Sequence, residues 1–185
     1  MNTLTADLFI SLDGFAVGEG APAYFGYFGP DLEHWVKSEL AKPQTLVFGR
    51  VTYLMLSKSS QGSTDEVSRK MNELPKVVFS DTLQKPLEWN NTQLLKSNEI
   101  QKLKEQPGDP LRSMGSISLV KSLLKLGLID RLRLLIFPLT LGETGREPIF
   151  SALPDLSLEL LKTSTLDERL MLLEYGPARK PVVVT

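Results

Sequence analysis

Apolar segments of strand length alternate with single amphipathic helical segments through most of this chain, and only the last strand segments follow one another directly. That order constrains the architecture more than any other feature. A strand–helix–strand connection returns the chain to a parallel neighbour, whereas strands joined without a helix pair antiparallel. Leu4 to Leu12 is apolar and ends at Asp13-Gly14, and Thr45 to Phe48 runs straight into Gly49-Arg50 and a helical stretch through Leu56. Lys76 to Ser80, Gln93 to Lys96 and Leu111 to Met114 follow, the last entering a helix through Gly115-Ser116 with Ile117, Val120, Leu123 and Leu124 on one face. Arg131 to Phe137, Leu156 to Leu161 and Arg169 to Tyr175 complete a set of about eight strands with four or five helices. The expected fold is α/β: a mostly parallel sheet with a C-terminal antiparallel hairpin and helices on both faces.

Between these elements, Pro30-Asp31 opens a helix carrying Leu32, Trp35, Val36 and Leu40 at helical spacing, with Asp31 as its expected N-cap. Ser57 to Ser63 reads as a polar loop and Asp65 to Leu74 as a helix. The segment Gly18 to Gly29 is a glycine-containing loop with Tyr24, Phe25, Tyr27 and Phe28. It reads equally as a surface that closes over a flat ligand or as a loop pinned to the core by its rings.

A chain of 185 residues with 42% hydrophobic and 23% charged residues has the size and composition of one globular domain, so a single domain over residues 1–185 is expected. The formal net charge of -1 supplies no overall positive field for nucleic acid or anionic membrane, and neither is an expected partner. There is no cysteine, which excludes disulfides, thiolate metal sites and a thiol nucleophile. The single histidine, His34, cannot build a multi-histidine metal site, and no metal is expected. The N-terminal residues lack a basic start with an apolar run, and every later apolar stretch is interrupted before it could span a bilayer; the expected location is the cytoplasm.

Phe48-Gly49-Arg50-Val51-Thr52-Tyr53 is the sharpest local feature. A glycine lets backbone approach phosphate, an arginine adds a fixed charge, and a threonine at the helix start adds a hydroxyl. Arg50 also fits an ordinary exposed first turn. Met114-Gly115-Ser116-Ile117-Ser118 is a second strand–turn–helix junction of the same kind, and Ser80 closes a strand at the same edge of the sheet. Neither a Gly-x-Gly-x-x-Gly fingerprint after the first strand nor a Gly-Lys-Ser/Thr loop occurs, which speaks against a Rossmann dehydrogenase and a P-loop enzyme.

Ser11-Leu12-Asp13-Gly14-Phe15, Gly49-Arg50-Val51-Thr52-Tyr53, Lys76-Val77-Val78-Phe79-Ser80, Gly115-Ser116, Gly127-Leu128-Ile129-Asp130 and Pro138-Leu139-Thr140-Leu141-Gly142 occur in this order. In that order they resemble the dihydrofolate reductase superfamily, and within it the branch containing the reductase domain of the bifunctional riboflavin-pathway deaminase-reductase. The resemblance runs from about Leu4 to Tyr175.

The resemblance implies a dihydrofolate-reductase-like three-layer fold and NADPH as cofactor. It assigns Gly49, Arg50 and Thr52 to the adenosine 2′-phosphate and pyrophosphate, Ser80 to the adenosine side, and Gly115, Ser116 and Ile117 to the pyrophosphate. Relatives often carry two glycines joined by a cis peptide where this chain has Met114-Gly115. Asp13 would lie beside the nicotinamide, orienting substrate or relaying a proton; it also fits as a turn aspartate capping Gly14 and Phe15. Asp31 is the rival acid, at a position similar to the pterin-contacting carboxylate of true dihydrofolate reductases. The implied function is NADPH-dependent reduction of a small heterocycle, resembling 5-amino-6-(5-phosphoribosylamino)uracil reductase, by a homodimer; the apolar strand Leu132 to Leu139 fits a place in its interface and burial in the monomer core equally well. The alternatives are a noncatalytic NADP-binding module of the same fold and a dihydrofolate or pterin reductase.

Overall fold

The computed structural model describes residues 2–19 and 24–178. In chain order its elements are β1 (Leu4–Ser11), β2 (Phe15–Gly18), α1 (Pro30–Leu40), β3 (Thr45–Gly49), α2 (Arg50–Gln61), α3 (Glu66–Glu73), β4 (Lys76–Phe79) and β5 (Thr92–Leu95). They continue with α4 (Ile100–Glu105), β6 (Leu111–Met114), α5 (Ile117–Lys125), β7 (Arg131–Phe137), β8 (Gly145–Pro148), β9 (Leu158–Leu166) and β10 (Leu170–Pro177).

Eight strands form one sheet in the order β5-β4-β3-β6-β1-β7-β10-β9. β5 through β7 in that order pair parallel, and β10 and β9 close the sheet as an antiparallel hairpin, as the strand and helix order predicts. Alternation along β1 divides the core in two. Leu4, Ala6, Leu8 and Ile10 pack with Ile100 of α4 and Val120, Leu123 and Leu124 of α5. On the opposite face, Leu32, Val36 and Leu40 of α1, Tyr53 of α2 and Met71 of α3 pack over Phe48, Leu135 and Phe137.

Several sequence expectations change. The Ser57 to Ser63 loop is instead the last part of α2, which continues to Gln61 because Tyr53, Ser57 and Ser60 turn inward at helical spacing and the Ser57 and Ser59 hydroxyls bond carbonyls three residues back. Asp31 is not the N-cap of α1; Gly29 holds that position, and Asp167, in the β9–β10 turn, accepts the Asp31 and Leu32 N–H groups. A two-stranded sheet of β2 and β8, unmarked in the sequence, joins the turn after β1 to the segment before β9. The first strand of the last hairpin begins at Leu158 and extends to Leu166. Leu132, Leu134, Leu135 and Phe137 are buried between β1 and β10, so the apolar character of that strand belongs to the core; the edge strands of the sheet are β5 and β9.

Three of the loop rings are pinned. Tyr24 stacks on Phe137 at 4.5 Å, Tyr27 meets the same ring edge-on at 6.0 Å, and Phe28 lies 6.1 Å from Phe9. Residues 20–23 of that loop lie outside the described residues.

Lys76, at the start of β4, is 1% exposed and donates to the carbonyls of Met71, Asn72 and Leu74, closing the end of α3 with its ammonium over the Trp89 ring. Burial pushes its pKa down to about 8. The unfolded chain therefore holds this proton where the folded chain releases it, and stability rises with pH between about 8 and the usual lysine value. Urea unfolding at pH 7.5 and 9.5 is expected to show the native protein gaining about 1–2 kcal/mol relative to Lys76→Met.

Candidate functional site

A cavity of about 640 Å³ runs along the carboxyl ends of β3, β6 and β1, within the size range of ligand sites. Two helices begin at its outer end, α2 directly after Gly49 and α5 directly after Ser116. Helix geometry leaves the first amides of each without an intrahelical partner, and the aligned peptide dipoles place partial positive charge there.

The two turns are locked to each other. Ser116 Oγ accepts the Gly49 N–H at 3.0 Å, and Thr52 Oγ1 accepts the Ser116 N–H at 3.0 Å. Gly115 and Ser116 both have left-handed backbone, with φ of 70° and 54°. Among the described residues the one cis peptide is Lys85-Pro86, so the Met114-Gly115 junction reaches its bend through two consecutive left-handed residues. For Ser116 this conformation carries a steric cost of about 1–2 kcal/mol, offset by its bonds to both turns.

Gly49, Arg50, Thr52, Gly115, Ser116 and Ile117 all line the cavity, so the fold brings together six of the residues singled out from sequence. Arg50 is exposed and has no hydrogen-bond or ion-pair partner among the described residues. The lining also carries exposed apolar side chains: Val51, 70% exposed, and Met55, 60%, on α2, and Leu126, 60% exposed, directly after α5. Such exposed apolar side chains offer surface that a flat ring would cover.

Three expected site residues stand outside the lining. Ser80 Oγ accepts the N–H groups of Thr82 and Leu83, closing the turn after β4. Asp13 accepts the Ser11 hydroxyl at 2.6 Å and the N–H groups of Leu141 and Gly142, tying the turn after β1 to the stretch after β7. The Ser11 hydroxyl and these amides hold its carboxyl below the ordinary aspartate value. Asp31 accepts the Asp167 N–H at 2.9 Å on the exposed start of α1. In each case the polar group has a structural partner.

The family model described as the RibD C-terminal domain matches residues 2–172. The chain belongs to that family. Its fold is dihydrofolate-reductase-like, with the RibD-type arrangement of sheet and helices. The uncharacterized protein YyaP of Bacillus subtilis (strain 168) is 28% identical over 177 residues, covering 91% of this chain and 92% of its own length. A Shewanella sp. PV-4 protein provisionally named for riboflavin biosynthesis superposes with a TM-score of 0.74 at 21% identity, covering 96% of this chain and 99% of that one. A Thermotoga maritima diaminohydroxyphosphoribosylaminopyrimidine deaminase/5-amino-6-(5-phosphoribosylamino)uracil reductase superposes with a TM-score of 0.67 at 16% identity. This chain covers 57% of that protein's length.

Inside this RibD C-terminal domain, the inner end of the cavity is built by residues that the sequence reading passed over. Asp7 of β1 and Arg112 of β6 line it together with Phe9 and Trp35. The strand order β6-β1-β7 sets Arg112, Asp7 and Arg133 side by side beneath α1. Asp7 receives Arg112 Nε at 2.6 Å and Arg133 Nε and Nη2 at 2.6 and 2.9 Å; Arg133 also reaches Glu39 of α1 at 2.6 Å. The Trp35 ring lies against both guanidinium groups, 5.6 Å from Arg112 and 5.0 Å from Arg133. One signal was available: a lone acid inside an otherwise apolar strand has to find a cation when buried.

Proposed function

We propose that this protein is an NADPH-dependent reductase of a small heterocyclic compound, with an activity resembling the 5-amino-6-(5-phosphoribosylamino)uracil reductase named in the Thermotoga maritima relative. The observation that carries the reading is the convergence of two helix N-termini and the unpaired Arg50 at one end of a single cavity. Family membership supports the same reading.

The residues present fit the nucleotide. Arg50 would hold the 2′-phosphate as a fixed cation, and the first-turn amides of α2 and α5 would meet the pyrophosphate. Val51, Met55 and Leu126 would cover the adenine. The Ser116 N–H is not among these donors because Thr52 already accepts it, so Gly49, Thr52 and Ser116 shape the turns while Ile117 and Ser118 present amides. Bound NADPH supplies the hydride. The protein's share is to align two rings and exclude water, and Phe9 with Trp35 walls the inner end for this purpose.

In this reading residues 1–185 act as one domain on a small-molecule substrate in the cytoplasm. A homodimer belongs to it as well, with the β9 edge as its contact, where Leu158, Leu160 and Leu161 are exposed. A pterin reductase that uses Asp31 finds no support, since that carboxylate is joined to Asp167. Titration with NADPH and NADH, followed by cofactor fluorescence, tests the proposal. The expected result is saturable NADPH binding at least about tenfold tighter than NADH, the scale of one charge-assisted contact. Absence of binding to either nucleotide overturns it.

A further inference from the structure

Arg112 Nη1 is enclosed, and no acceptor meets it among the described residues. The rest of the guanidinium is committed, with Nε at 2.6 Å and Nη2 at 2.5 Å from Asp7 Oδ2. A buried, charged donor left without an acceptor is costly, and native structures rarely keep one without a reason. Arg112 lies on the wall at the inner end of the cavity, away from Arg50, between Asp7 and the Trp35 ring.

We propose that Arg112 is a specificity-determining residue: its free Nη1 donates to an exocyclic oxo group of a planar ring held between Phe9 and Trp35. The assignment of that ring as the reductase substrate rests on the function proposed above. Three features lead to this class of ligand. Phe9 and Trp35 offer aromatic surface to a flat ring at this end, and the unpartnered atom of Arg112 is a donor, so the matching group on the ligand is an acceptor. The Asp7 carboxylate already neutralises the guanidinium, so a neutral carbonyl completes the site without adding charge. Reaching Nη1 requires repacking at the wall. Met114 lies two residues along the same strand face and also lines the cavity, and its unbranched thioether is the side chain suited to move.

A site that hydrogen-bonds a carbonyl rejects the ring lacking it, because the buried donor is then unpaired again. Uracil and pyrimidine share one ring with and without two oxo groups and serve as probes. Ligand-observed NMR titration of the full chain, with and without NADPH, is expected to show uracil bound about tenfold tighter than pyrimidine. Arg112→Met is expected to abolish that preference. Arg133 still pairs Asp7 in this variant, so it retains the fold, which a thermal melt verifies. Arg112→Lys keeps the charge but lacks the second nitrogen, and it too is expected to lose the preference. An equal response to the two rings in the unaltered protein, or a preference that survives both substitutions, overturns the proposal. NADPH affinity is read separately and remains within about twofold in both variants. Equal binding of the two rings by the unaltered protein while it still binds NADPH thus counts against the role of Arg112 alone, and failure of NADPH binding counts against the reductase reading.

Discussion

Replacing Asp7 with leucine is expected to lower the unfolding free energy by about 3–5 kcal/mol and the melting temperature by about 10 °C. Asp7 is 2% exposed, and it is the carboxylate that binds Arg112. Without it Arg112 becomes a buried cation with no counter-charge, whereas Arg133 keeps Glu39. The cost is set mainly by the stranded partner, because two charges that leave together take their desolvation penalty with them. The double variant Asp7→Leu, Arg112→Met is therefore expected to recover more than half of the loss. Urea denaturation of the single and double variants measures both quantities. A single-variant loss below about 1 kcal/mol, the scale of an exposed ion pair, would contradict the buried network.

This charged row also marks where sequence patterning stopped being informative. The sheet was legible because its signals are local: apolar runs of strand length, glycines at strand ends and helical spacing after them. The Gly49-Arg50 and Gly115-Ser116 junctions were legible for the same reason, each being a strand, a turn and a helix start contiguous in the chain. Asp7, Arg112 and Arg133 are separated by 105 and 126 positions along the chain from Asp7, and only the strand order β6-β1-β7 makes them neighbours. No periodicity within one strand reveals that. Asp13 and Asp31 show the opposite case. Each sits at a conspicuous turn or helix start, yet each carboxylate is bound by backbone N–H groups of a segment more than a hundred residues away. The extension of α2 was hidden by composition, since its last turns are rich in serine, a residue that favours turns until its hydroxyl is returned to the helix backbone.

Arg50→Ala is expected to weaken NADPH binding by about tenfold to a hundredfold, the range for hydrogen bonds to a charged group, while NADH binding changes less than about threefold. Arg50 opens α2, is exposed and has no partner among the described residues, so its removal disturbs no internal contact and leaves folding intact. The helix N-termini remain and still attract the pyrophosphate that both nucleotides share, so the loss falls on the 2′-phosphate, which only NADPH carries. The guanidinium lies at an open rim and its attraction is screened by salt. Raising ionic strength should therefore reduce NADPH affinity more steeply in the unaltered protein than in Arg50→Ala, bringing the two together. Equal weakening of both nucleotides would mean that Arg50 acts on the shared pyrophosphate. No weakening of either would place the nucleotide's phosphates elsewhere and remove the observation on which the proposed function rests.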